Sequence, residues 1–104
     1  WIDFNFYGHQ ITAHLSPESF NKEDAFNKVD GKDVPVRHFG LILNWTDWHT
    51  IKEHLIKKNV TFIIDPYIRF EGEKGEQATL FITDPSSNGI ELKSFKEKEM
   101  IFSS

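Results

Sequence analysis

Three side chains able to bind a metal, His14, His38 and Glu91, each fall in a strand-like stretch on the face away from its more apolar side. Residues 9–15 alternate Ile11, Ala13 and Leu15 against Gln10, Thr12 and His14. Residues 36–44 set Phe39, Leu41 and Leu43 against His38, Gly40 and Ile42, and residues 89–95 set Ile90 and Leu92 against Glu91, Lys93 and Phe95. A sheet covered by a helix hides its more apolar face, which leaves all three candidates on the uncovered, concave one. Two imidazoles and a carboxylate make the facial set that suits Fe(II), and related sites accept Mn, Zn or Ni with positions left open for substrate or water. Taken singly, each residue reads more simply as a solvated strand residue. Their matched positions on three strands set them apart.

Other polar residues read as less committed. Tyr67 and Arg69 share a face beyond Pro66 and could bind an anionic or aromatic substrate, or stand as a solvated strand end. His9 points opposite to His14, His49 and His54 lie on the polar side of a helix, and Glu71, Glu73 and Glu76 read as a solvated loop. No glycine-rich phosphate loop, nucleophile elbow or Ser-His-Asp arrangement can be placed, so no catalytic residue is assigned beyond the ligand set.

The elements that must position these residues follow from pattern and punctuation. The run Asp84-Pro85-Ser86-Ser87-Asn88-Gly89 is dense in turn formers, and the segments 78–83 and 89–95 on either side read as a hairpin. Residues 1–7 and 9–15 form another around Gly8. Residues 17–34 are polar and aperiodic and read as a linker or lid loop, with Phe20 and Phe26 available to dock it. Pro35 opens a third strand. Thr46 is the expected N-cap of a helix whose face carries Trp48, Ile51 and Leu55, with Asn59 closing it. A strand over 60–64 ends at Asp65-Pro66 and continues extended over 67–70. Residues 96–104 are a charged tail with Met100, Ile101 and Phe102 as a docking patch.

Residues 35–95 thus read β-α-β-β-β. Sliding Phe4, Gly8 and His14 onto Phe81, Pro85 and Glu91 at one constant offset superposes the opening hairpin on the end of that unit. The expected class is α+β, two βαβββ modules of which residues 1–16 are the closing hairpin of the first, without its opening strand and helix. The chain begins at Trp1, inside a strand, and an unpaired sheet edge there invites a homodimer.

With 12 basic and 16 acidic residues among 104, and a formal charge of −4, there is no basic stripe for nucleic acid. Cysteine is absent, which excludes disulfides and thiolate metal sites. No apolar run reaches membrane-spanning length and no signal peptide is visible, so cytoplasm is the expected compartment.

Three segments, GHQITAHL (8–15), PVRHFG (35–40) and GEQATLFITDPSSNGIEL (75–92), resemble the vicinal oxygen chelate superfamily. That superfamily includes glyoxalase I, extradiol dioxygenases, fosfomycin-resistance enzymes and bleomycin-resistance proteins, and the small predicted extradiol-type dioxygenases look most similar. The resemblance implies paired βαβββ modules cupped around a divalent metal, with ligands from first and last module strands. On this chain it implies His14, His38 and Glu91. It also implies an enzyme that chelates a small substrate through neighbouring oxygens, dioxygenase-like, with Fe(II) or Mn favoured over Zn or Ni. A metal-free binding protein of the bleomycin-resistance type, or an inactive fragment, is the alternative.

Overall fold

The computed structural model describes residues 1–19 and 26–103. In chain order its strands and helix are β1 (Ile2–Phe6), β2 (His9–Ala13), β3 (Phe26–Val29), β4 (Lys32–Pro35), β5 (His38–Ile42), α1 (Trp45–Lys57), β6 (Phe62–Arg69), β7 (Gln77–Thr83) and β8 (Gly89–Phe95).

The turn between β7 and β8 is organised by Asp84. Its Oδ1 accepts from the Ser86 and Asn88 amides at 2.9 and 2.8 Å, and its Oδ2 accepts from Asn88 Nδ2 at 2.8 Å. This self-contained Asx turn sets the antiparallel register, Gln77 against Phe95 through Thr83 against Gly89. β6 pairs with the other side of β7, with irregular register on either side of Ile64 that accommodates Asp65-Pro66. β5 pairs in parallel with the free edge of β8, giving the order β5-β8-β7-β6. A parallel pair needs a long crossover, and α1, β6 and β7 supply it.

The helix starts earlier than expected. Asn44, not Thr46, is the N-cap: Asn44 Oδ1 accepts from the Asp47 amide and Asn44 Nδ2 donates to the Asp47 carboxylate, both at 2.8 Å. Lys58 is the C-cap and Asn59, at φ +58°, turns the chain out of the helix. α1 covers the face of the sheet that carries Leu80, Leu92 and Ala78, with Trp48 between them and its Nε1 donating to the Leu92 carbonyl at 2.8 Å. Leu43, Trp48, Ala78, Leu80 and Leu92 form the buried core. Ser94 is also fully buried on this face.

Two further hairpins flank the four-stranded sheet. β1 and β2 pair around a two-residue turn, Tyr7 and Gly8, both at positive φ, and the Gly8 amide donates to Asn5 Oδ1 at 2.7 Å. Phe6 packs on the core and meets Phe39 edge-on, while Ile2 and Phe4 stay 62% and 52% exposed. β3 and β4 pair around Asp30 and Gly31, again both at positive φ. Residues 26–34, expected to be loop, are therefore largely strand. Residues 20–25 of that expected loop, with Phe20, lie outside the described residues, and Phe26 is half exposed. Pro35 closes β4, and β5 begins at His38. In the tail a short 3-10 turn half-buries Met100 and leaves Phe102 exposed.

Candidate functional site

Strand parity and register decide which side chains share the uncovered face. His38 on β5 pairs with Gly89 on β8, and Gly40 pairs with Glu91. Glu91 pairs with Phe81 on β7, Lys93 pairs with Thr79, and Tyr67 on β6 pairs with Thr79. Residues paired across a ladder point the same way, so His38, Glu91, Lys93, Phe81, Thr79, Tyr67 and Arg69 lie on one face, opposite α1.

His38 and Glu91 converge there, with Nε2 and Oε1 3.5 Å apart. The two side chains are 31% and 17% exposed. Each is aimed by its neighbours. His38 Nδ1 lies 2.8 Å from the Pro35 carbonyl, which can only accept, so Nδ1 carries a proton and Nε2 is the ring nitrogen turned to Glu91. The His38 ring meets Phe81 edge-on at 5.1 Å. Glu91 Oε2 accepts from the Thr79 hydroxyl at 2.7 Å and faces Lys93 Nζ at 3.3 Å, leaving Oε1 directed at His38. Gly40 allows the strands this close: a Cβ built there falls 1.7 Å from the Glu91 carbonyl oxygen.

This donor pair fits a divalent metal. Two ligands each about 2.1 Å from one ion at a tetrahedral angle are about 3.4 Å apart, near the observed spacing. An imidazole whose distal nitrogen is fixed by a carbonyl, beside a carboxylate with one oxygen held and one free, is the usual dress of metal ligands. His14 is placed elsewhere. It lies just past the end of β2, exposed, with its ring 6.2 Å from that of Trp1. Among the described residues no three of His, Asp and Glu form a group suited to a metal, so the structure brings together two of the three expected ligands. The structure also departs from the constant-offset repeat. Phe81 pairs with Glu91, but Phe4 pairs with Ile11, because the first turn is shorter than the second.

Tyr67 and Arg69 are on the expected face, and both bind Asp30 at the tip of the β3–β4 hairpin. Asp30 Oδ2 accepts from Arg69 Nε at 2.6 Å and from the Tyr67 hydroxyl at 3.0 Å. The Arg69 hydrogen bond, then that from Tyr67, holds the Asp30 carboxyl below its ordinary value. Burial, then the bond to Asp30, pushes the Tyr67 phenol up. Lys32 Nζ lies 4.5 Å from the Tyr67 ring centre. Asp30, Thr79 and Lys93 were not singled out in the sequence. The parity of Thr79 and Lys93 is visible there, but the register that puts them beside Glu91 is not.

Glu76 corrects the reading of 71–76 as a solvated loop. It is buried, accepts from the Gly72 amide at 2.8 Å, and faces Lys96 Nζ at 3.4 Å. The amide bond, with Lys96, holds its carboxyl below the ordinary value. Its role is to pin the loop between β6 and β7.

One helix over a β5-β8-β7-β6 sheet, with its polar residues gathered on the open face, defines a glyoxalase-like α+β fold. The crystal structure of a glyoxalase/bleomycin resistance protein/dioxygenase from Alicyclobacillus acidocaldarius matches with a TM-score of 0.76 at 27% identity, over 96% of this chain and 70% of that one. The resemblance to the vicinal oxygen chelate superfamily is thereby borne out. No family model and no curated protein matches the chain. No described helix is long and apolar enough to cross a membrane.

Proposed function

We propose that the open face binds a divalent metal through His38 and Glu91, and with it a small molecule bearing neighbouring oxygens. The observation that carries this reading is the 3.5 Å spacing of Nε2 and Oε1, with both groups oriented by Pro35 and Thr79. Nitrogen and carboxylate donors without thiolate favour Fe(II) or Mn, and admit Zn or Ni. A metal held there would supply Lewis acidity and a template for two oxygens. The chain itself presents Nε2 of His38, orients the carboxylate through Thr79 and Lys93, and screens one side of the imidazole with Phe81. Dioxygenase-like chemistry is the activity we propose for it, by analogy with the resemblance to the vicinal oxygen chelate superfamily.

Glu91→Ala and His38→Ala are expected to abolish retention of Fe(II) or Mn while the thermal unfolding midpoint stays nearly unchanged, since neither opens a cavity in the core. His14→Ala separates the two ligand sets: unchanged retention assigns the site to His38 and Glu91 without it. Retention in Glu91→Ala equal to that of the parent would remove the metal reading in favour of metal-free binding of the bleomycin-resistance type. The expected homodimer belongs to the same proposal, with the exposed apolar Ile2 and Phe4 offered to a second copy. A monomer in light scattering at micromolar concentration would exclude it.

A further inference from the structure

The β3–β4 hairpin is fastened at both ends to opposite edges of the sheet. At its base, the Pro35 carbonyl accepts from His38 on the edge strand β5. At its tip, Asp30 binds Tyr67 and Arg69 on the other edge strand, β6. An arm from Pro35 to Asp30 reaches about 16 Å at about 3.3 Å per residue, against about 14 Å for three interstrand spacings. Between these points Phe26, Lys32 and Asp33 line a cleft with Ile63, Ile64 and Asp65 of β6.

The fastening at the tip is chemically a bound carboxylate. A guanidinium and a phenol donate to one oxygen, and Lys32 stands close by. The turn does not need this charge: a two-residue turn at positive φ forms as readily with Asn-Gly as with Asp-Gly. Asp33, the other acid of the hairpin, is already paired with Lys28 at 2.7 Å. With Asp30 withdrawn, Arg69 and Lys32 would face the open side of the sheet as two cations. The Asp30 side chain is 41% exposed and that of Arg69 21%, so the pair is open to solvent on the Asp30 side, where a competing anion can reach it. Tyr67 is paired with Thr79, whose hydroxyl holds Glu91, so the cluster begins about two interstrand spacings, or about 10 Å, from the His38–Glu91 pair. That is the length of a small molecule.

Building on the proposed role of the open face, we propose that Tyr67, Arg69 and Lys32 form a carboxylate subsite for the small molecule held at His38 and Glu91. Asp30 fills this subsite from within the chain until the ligand's own carboxylate displaces it. The ligand class is then a small carboxylic acid whose oxygen-rich end lies about 10 Å from its carboxylate.

Benzoate is the probe, titrated into EDTA-treated protein and followed by amide NMR, so the result does not depend on any metal. Asp30→Asn should tighten benzoate binding about tenfold, as expected when an internal competitor that occupies the subsite most of the time is removed. Adding Arg69→Gln should cancel the gain, and neutral benzamide should show none. On the unaltered chain, saturating benzoate should shift the Asp30 and Gly31 amides together with those of Tyr67 and Arg69. Unchanged or weaker benzoate binding in Asp30→Asn, or an equal gain for benzamide, would overturn the proposal. If Asp30→Asn does not fold, the titration of the unaltered chain decides, and Asp30 and Gly31 amides that stay still under saturating benzoate overturn it. Metal retention is scored separately with Glu91→Ala, so a chain that keeps metal but fails with benzoate loses only the subsite.

Discussion

The β7–β8 and β1–β2 hairpins share an alternating apolar pattern, a polar turn, and a metal-competent residue in or just after the second strand. In the first, Leu80 and Leu92 are buried, and Glu91 reaches His38 on a neighbouring strand. In the second, Ile2 and Phe4 stay exposed, and His14 lies beyond the last paired residue. The difference is one of neighbours. β6, β5 and α1 complete the surroundings of β7–β8, whereas β1–β2 meets the rest of the core through Phe6. Alternation assigns a side chain to a face; only pairing with a further strand gives that face a partner.

Substitutions in the two hairpins should therefore differ most in stability. Leu80→Ala, at a fully buried position, should cost about 3–5 kcal/mol in denaturant unfolding. Gly40→Ala follows, at about 1–3 kcal/mol, because β5 must move away from the Glu91 carbonyl. It should also weaken metal retention, since His38 moves with β5; retention unchanged beside a destabilised sheet would show that the pair tolerates a wider spacing. Phe4→Ala in the exposed hairpin should cost less than about 1 kcal/mol. A cost as large as that of Leu80→Ala would mean that the opening hairpin is covered in solution.

The smallest effect is expected from acid. The Asp30 carboxyl is held below its ordinary value of 3.8 in the folded chain, so its contribution is present above that value and is lost as pH falls through the depressed one. The groups facing it are Arg69 and Tyr67 on β6 and Lys32 on its own hairpin. The gap in unfolding midpoint between the parent chain and Asp30→Asn should accordingly close below pH 3.8. A gap that persists there would assign the difference to turn geometry instead of charge.

The same contrast shows what could be read in the sequence. Strands over 78–83 and 89–95 are found as Gln77–Thr83 and Gly89–Phe95, because the turn between them is encoded locally by Asp84. His38 and Glu91 could be assigned to one face by parity alone. Their partners Thr79 and Lys93 depend on the register between strands, which no single strand carries. The helix start was displaced because Asn44 and Thr46 are both cap-competent, and the reciprocal bonds with Asp47 choose the former. The β3–β4 hairpin is not legible from Asp30-Gly31 alone, since Lys28 and Asp33 interrupt the apolar alternation and pair with each other across the strands. For the opening hairpin, sequence similarity at constant offset did not survive a difference in turn length.

The parallel pairing of β5 with β8 also orders events in time. Trp48 and Leu92, whose bond clamps the helix to β8, are 44 residues apart in the chain, and closing so long a loop costs entropy before any contact repays it. The β6–β7–β8 meander, built from adjacent segments, can form first, leaving β5 to dock late. A chain growing on a ribosome presents His38 well before Glu91 has been synthesised, so the paired site cannot exist on any partial product that stops short of β8.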